Sequence, residues 1–241
     1  MPIKATVARS HQARARGAAG ARDISGLASV LADPSRAGML DVLLDGEAYP
    51  IGTLARRVRV SAATASSHLR RLGDAGLVTV EIVGRERRVR LAGAEVAAVL
   101  EHIAVLARPR VRATELDHLR FARTCYDHLA GLLGVAIAHR LVDLGWLYRT
   151  SDSLEPSSRM LAWLAAHGHP VAEDRKRPLS PACVDWTERE PHLAGRVGAA
   201  LASLVLEAGW VRRVRASRSL RITERGRRAF ADELGLVLRV G

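Results

Sequence analysis

The sequence predicts a mainly α chain of the α+β class: an N-terminal helical module closed by one β-hairpin, followed by a helix-rich second half built from two internal repeats. Three observations carry this. Apolar residues recur at helical spacing, between capping and stopping residues, from residue 24 to residue 76. From 78 to 91 the period shortens to the alternation of strands. Beyond residue 115 a nineteen-residue segment occurs twice. At 241 residues, 48% of them hydrophobic, the chain can bury substantial cores without covalent staples.

The first 22 residues, MPIKATVARSHQARARGAAGAR, hold cations and small residues but no apolar run, so 1–22 is expected to be a disordered basic arm rather than a secretory signal. Ile24, Leu27, Val30 and Leu31 then share one face of a short helix that stops before Pro34. Asp33 caps the next helix, with Pro34 at its first position and Met39, Leu40, Leu43 and Leu44 on its apolar face. Pro50 opens a third, pointing Ile51, Leu54, Ala55 and Val58 inward. Ser61 caps a fourth, whose buried stripe is Ala65, Leu69 and Leu72 and whose stop is Gly76. Two helices joined by so short a turn, the second with small polar residues outward, make a helix-turn-helix. VTVEIV, a GRE turn and RRVRL then form a two-stranded hairpin, the wing. A helix over about 93–107 closes the module, with Val96, Val99, Leu100 and Ile103 on one face and Ala97 and Ala104 beside it; such an apolar helix suits a dimer seam. A winged helix-turn-helix is therefore expected over 23–108.

Such a module lays the start of its second helix in the major groove of double-stranded DNA. Ser61, Ala62, Thr64, Ser66, Ser67 and His68 are the candidates there, with Arg70 and Arg71 further along. Ser61 reads equally as a cap, and Thr64 or His68 as tied to neighbouring helices. Arg85, Arg87, Arg88 and Arg90 fall within six residues of the wing, and the first three are the candidates for phosphate or minor-groove contact. The balance of 37 Lys plus Arg against 25 Asp plus Glu, almost all of the cations Arg, favours a nucleic-acid partner. A GC-rich genome produces the same bias, so charge supports this reading without carrying it.

ADPSRAGMLDVLL, IGTLARRVRVSAATASSHLRRLGDAGLV and VGRERRVRLAG together resemble the ArsR group of winged-helix repressors over about 80 residues. The shared pattern is a capped helix of the form S-x-x-T-x-S-x-H-L-x-x-L leading into A-G-L-V and the wing. The resemblance implies a homodimer that blocks transcription until a signal loosens it from its operator. It does not supply the signal. Where metalloid sensors of that group carry Cys-Val-Cys-Asp-Leu, this chain has Ala48, Tyr49, Pro50, Ile51, Gly52 and Thr53 before Leu54. In the last helix of the module, where zinc-type members use an Asp-x-His pair, only Glu101 and His102 stand near.

The second half repeats itself. His128 to Trp146 and His192 to Trp210 match at nine of nineteen positions without a gap, and a cysteine segment precedes each. Each unit reads as a helix through small residues, a Gly-Trp exit, a short hairpin and a second helix, giving a duplicated sensor or dimerisation domain over 115–241. Gly131, Gly134 and Ala138, with Gly195, Gly198 and Ala202, are placed to let two helices approach closely, and PVAEDRKRPLSP reads as the linker. Cys125 with His128, and Cys183 with His192, combine the donors that suit zinc, nickel, copper or a thiophilic metalloid, with Asp127 and Asp185 nearby. Both cysteines precede an expected helix, which predicts lowered thiol pKa values. A small organic ligand against Trp146, Trp186 and Trp210 is the alternative occupant, and plain core packing explains the same residues.

Two cysteines form no disulfide framework, and no apolar run reaches the ~20 residues of a membrane span, so a cytoplasmic protein without a membrane partner is expected. No phosphate loop, nucleophile elbow or His-Glu-x-x-His helix is present, so no catalytic residues are assigned and no enzyme is expected. The sequence thus points to a sequence-specific repressor released by a signal sensed in its second half. An architectural protein binding DNA without sequence preference is the rival reading, and an enzyme using the Cys/His/Asp group a further one.

Overall fold

The computed structural model describes residues 24–84, 86–107, 113–174 and 176–238; the expected basic arm and Arg85 lie outside them. The first half runs α1 (Ile24–Leu31), α2 (Pro34–Leu43), β1 (Tyr49–Pro50), α3 (Ile51–Val58), α4 (Ala62–Asp74), β2 (Val78–Val83), β3 (Glu86–Leu91) and α5 (Ala94–Leu106). The Asp33 carboxylate accepts from the amides of Ser35 and Arg36, each at 2.9 Å, and starts α2. Ser61 Oγ accepts from the Thr64 amide at 3.1 Å and starts α4. Between α3 and α4 the chain turns through Arg59 in the left-handed region (φ 59°). Pro50 differs from its expected role: it pairs with Arg88 as the end of a short strand, and α3 begins one residue later. β1 extends the wing into a three-stranded antiparallel sheet of order β1-β3-β2.

Met39, Leu40, Leu43, Leu54, Leu72, Val89 and Leu91 make the core of this half. Two apolar faces stay uncovered. On α1, Ile24 is 74% exposed; on α5, Val99, Ile103 and Leu106 are exposed while Val96 and Leu100 pack inward. The expected single face of α5 is therefore split. What α5 buries completely includes a charge, Glu101.

After α6 (Ala113–Phe121) come β4 (Arg123–Cys125), β5 (His128–Ala130), α7 (Gly131–Asp143), β6 (Leu147–Arg149), β7 (Leu154–Pro156) and α8 (Ser158–Ala166). The same order follows again as β8 (Ala182–Val184), β9 (Pro191–Leu193), α9 (Gly195–Glu207), β10 (Val211–Arg213), β11 (Leu220–Ile222) and α10 (Glu224–Leu234). A hairpin thus precedes each small-residue helix, an element that the sequence reading lacks. The two units interlock: α7 packs on β9, α9 packs on β5, and the Thr124 amide donates to the Arg218 carbonyl at 2.9 Å. The glycines let each helix lie close on its own hairpin, with the histidine of the other unit beyond, rather than forming a helix–helix seam. A Cβ on Gly198 would stand 2.4 Å from the Leu193 carbonyl and 3.2 Å from His128 Cβ; on Gly134, 2.5 Å from the Leu129 carbonyl and 3.7 Å from His192 Cβ.

The stretch 170–181 is no free linker in its later part. Ser180 is buried, its carbonyl accepts from the Leu154 amide at 2.9 Å, and the Pro178 carbonyl accepts from the Arg196 amide at 3.2 Å. Trp146 and Trp210 sit in the core, joined through the fourth tryptophan, Trp163, at ring separations of 5.4 and 6.4 Å. Trp186 lies elsewhere, under the Arg123 guanidinium at 5.0 Å. The three tryptophans therefore do not converge, and the ligand site expected against them has no geometry.

Candidate functional site

The exposed face of α4 carries Ser61, Ala62, Thr64, Ser66, Ser67, Arg70 and Arg71 at the surface, held by the buried stripe Ala65, Leu69 and Leu72 beneath. Two of these hydroxyls are committed locally: Thr64 Oγ1 stands 2.8 Å from Ser61 Oγ, and Ser66 Oγ donates back to the Ala62 carbonyl at 2.9 Å. His68 follows the second of its two expected readings, tied to a neighbouring helix rather than free to enter the groove. Its ring turns inward, Nε2 lying 3.8 Å from Asp33 and Nδ1 3.5 Å from Arg36, so it braces α4 against the start of α2. On the wing Arg87 is exposed, whereas Arg88 bonds Glu86 at 3.1 Å. Arg90 turns toward the second half, donating to the Tyr126 hydroxyl at 3.4 Å.

The second half assembles the other site. Cys125 and His128 are direct cross-strand partners on β4 and β5, and Cys183 and His192 are the same on β8 and β9. Cross-strand pairing puts each thiol beside its imidazole, and the interlocking of the two units faces the pairs together. The sulfurs are 3.9 Å apart, the imidazoles stack at 5.1 Å, and one ligand atom from each of the four residues lies within 4.8 Å of the others. All four residues are buried. His128 Nε2 and both nitrogens of His192 have no hydrogen-bond partner, which a buried polar group rarely tolerates. A cavity of about 220 Å³ beside Cys183 and His128, walled by Ala94, Ala98 and Pro181, offers a path to the group.

Of the two aspartates near this cluster, Asp127 orients His128, whereas Asp185 stands beside His192 without bonding it. Asp127 faces His128 Nδ1 at 3.4 Å and is held by Arg177 at 2.6 and 2.8 Å. Asp185 accepts from the Gly131 amide at 2.6 Å, from Thr187 Oγ1 at 2.7 Å and from Arg123 at 2.9 Å, with His192 Nδ1 at 3.8 Å. Burial opposes its charge, but the Arg123 guanidinium, Thr187 and the Gly131 amide hold Asp185 well below the usual carboxylate range. Arg123 is itself fully buried, 3.9 Å from Glu101, and Glu101 is bonded by Arg218, which reaches Asp41 on α2 at 3.1 Å. None of Arg123, Arg177, Arg218 or Tyr126 stood out in the sequence.

Cys125 differs from expectation. The hydrogen bond to Cys183 and then burial push Cys125 well above its ordinary value, because a strand pair, not a helix N-terminus, surrounds it. Burial works against the charged form of His128, yet the Cys125 sulfur and Asp127 outweigh it and raise His128 to about 10. Burial, followed by the charge of His128, holds His192 well below its ordinary value. The four donors thus share one buried pocket, where a divalent cation would take thiolates and neutral imidazoles.

A short-turned helix pair with its second helix exposed, backed by a basic wing, defines a DNA-binding regulator. Residues 31–81 match the family model of a helix-turn-helix domain. The uncharacterized HTH-type transcriptional regulator YdfF of Bacillus subtilis is 39% identical over 221 residues, 89% of this chain and 98% of that protein. The HTH-type transcriptional regulator CmtR of Mycobacterium tuberculosis is 40% identical over 74 residues, 31% of this chain and 62% of its own. A solved structure of CmtR, titled a cadmium metal-sensor, shares 34% identity over 37% of this chain and 99% of that one, with a TM-score of 0.30. The chain belongs to the ArsR family of winged helix-turn-helix transcriptional regulators. Among its described residues no helix is long and apolar enough to cross a membrane.

Proposed function

We propose that this protein is a homodimeric, sequence-specific repressor, not an enzyme, that reads DNA with residues 23–108 and is released by a metal ion bound in residues 115–241. The observation that carries the signal is the convergence of Cys125, His128, Cys183 and His192, with orphaned imidazole nitrogens, in one buried pocket. Elemental analysis with a thiol titration on freshly purified, reduced protein tests it: about one metal equivalent per chain that shields both thiols supports the reading. Two freely titrating thiols and no metal uptake oppose it. Binding to the DNA upstream of its own gene and to scrambled DNA, at two salt concentrations, tests the sequence preference, and a ratio near one would favour an architectural role.

Two further expectations follow from the first half. Arg87→Ala with Arg88→Ala should weaken binding to all DNA alike and flatten the salt dependence by about one unit per lost phosphate contact. Unchanged affinity for both operator and random DNA would mean that the wing does not touch DNA. The uncovered Val99, Ile103 and Leu106 of α5, with Ile24 and Leu27 of α1, supply the dimer seam. Ile103→Glu should convert a dimer to monomer in sedimentation, with specific DNA binding lost, because recognition helices must stand ~34 Å apart on two half-sites. A wild-type chain that sediments as a monomer, free and on DNA, removes the seam.

A further inference from the structure

Cys125 and His128 are joined by a turn of two residues, Tyr126 and Asp127, with Tyr126 in the left-handed region at φ 61°. That turn does not face solvent. Tyr126 is 8% exposed and packs in the core of the winged helix, together with Leu44, Val89 and their neighbours. Its amide donates to the Leu44 carbonyl at 2.6 Å, at the end of α2. Its hydroxyl accepts from Arg90 on wing strand β3 at 3.4 Å. Its carbonyl lies so near Gly46 that a Cβ there would stand 2.5 Å away, and Gly46 (φ 81°) is held in a backbone that favours glycine. Asp127 is clamped by Arg177. The matching connection of the second unit, between β8 and β9, is longer and reaches the first half through Arg189, which donates to the Val105 carbonyl of α5 at 3.1 Å. The hairpin that carries two of the four donors is therefore plugged into the reading head.

Resting on the reading of the cluster as a metal site, we propose that its occupant is a divalent d10 cation of the zinc and cadmium kind, and that the Tyr126–Asp127 turn transmits its binding to the wing and α2. The donor set is that of a closed tetrahedral site, two thiolates and two imidazoles. The sulfurs at 3.9 Å already stand near the ~3.8 Å edge of a tetrahedron with metal–sulfur bonds of about 2.3 Å. The full set spans 4.8 Å, so closing it draws at least one further pair inward by about 1 Å. Both flanks of the turn are ligands, and two residues hold no slack to absorb such a shift. Tyr126 moves with them, and the core around it answers by repacking, since packed interiors do not deform continuously. The wing strand and the end of α2, which Tyr126 bridges, are the parts that set the attitude of α4.

The test uses Cd2+ and the full-length, reduced, metal-free protein. Cadmium–thiolate absorption should saturate at one equivalent per chain, and Cd2+ should change affinity for the upstream DNA by about 5–150-fold. Tyr126→Ala should keep the absorption and its stoichiometry while the change in DNA affinity falls below about twofold. A wild-type-sized response in that variant overturns the transmission. Absence of the absorption in the wild-type protein, or its persistence at full intensity and unchanged affinity in Cys183→Ser, overturns the metal reading and the transmission with it. Hydrogen exchange on the wild-type chain gives the result should Tyr126→Ala not fold. Cd2+ should alter exchange at amides 44–47 and 88–91 as well as at 123–130, and a change confined to the latter overturns the proposal.

Discussion

Arg123→Met is expected to cost about 3–5 kcal/mol of folding stability, because it strips the guanidinium from a buried ionic network while leaving its carboxylates in place. Arg123 has no exposure, and through its Nη atoms it meets Asp185 at 2.9 Å, the Leu119 carbonyl at 3.1 Å, Thr187 at 3.3 Å and Glu101 at 3.9 Å. Methionine fills similar space but donates nothing. Asp185 would keep the Gly131 and Thr187 bonds, and Glu101 would keep Arg218, so the fold survives with a deficit of one cation. In a chain of this length about 2–4 °C of midpoint accompanies each kcal/mol, so the melt should fall by roughly 6–20 °C. A shift of only one or two degrees would mean that water already reaches this network.

The second large effect concerns the cluster. Cys183→Ser should lower the affinity for Cd2+ by more than the 10–100-fold that loss of an outer partner of a metal ligand typically costs, since it removes a thiolate donor itself. Isothermal titration against a competing chelator measures this. The variant should remain folded: Cys183 is 6% exposed and stands 3.9 Å from Cys125, so serine costs about 1–3 kcal/mol at a polar, hydrogen-bonding position. Unchanged affinity with lowered stability would identify the cysteine as core. Cys125→Ser should behave alike, since the two residues occupy corresponding positions in their hairpins.

Much of the first half was legible because each local signal agreed with the next. Asp33 and Ser61 cap the helices that they announce, and the stripe Ala65, Leu69 and Leu72 is buried as spaced. The periodicity did not separate α5 into a covered and an uncovered side, because Glu101 is buried by partners more than 20 residues away in the chain, Arg123 and Arg218. In the second half, self-alignment found all four donors, yet spacings of three and nine concealed that both pairs are cross-strand neighbours. The hairpin between Cys125 and His128 turns through Tyr126, without the glycine or asparagine that announces such turns, so it read as the approach to a helix. Arg123, Arg177 and Arg218 carry no pattern that sets them apart from the other arginines of the sequence. Only the fold decides which cation is enclosed.

The crossing of the two units has one more consequence. Each unit owns one thiol and one imidazole, and the histidine of each lies against the glycine-bearing helix of the other. A protein half as long, with a single unit, could gather four such donors only where two molecules met, and dilution would then take its site apart. Carrying both pairs on one chain replaces that encounter with a connection of fixed length, so the local concentration of the second pair does not depend on how much protein a cell contains. Occupancy of such a site would then report the supply of the ion alone.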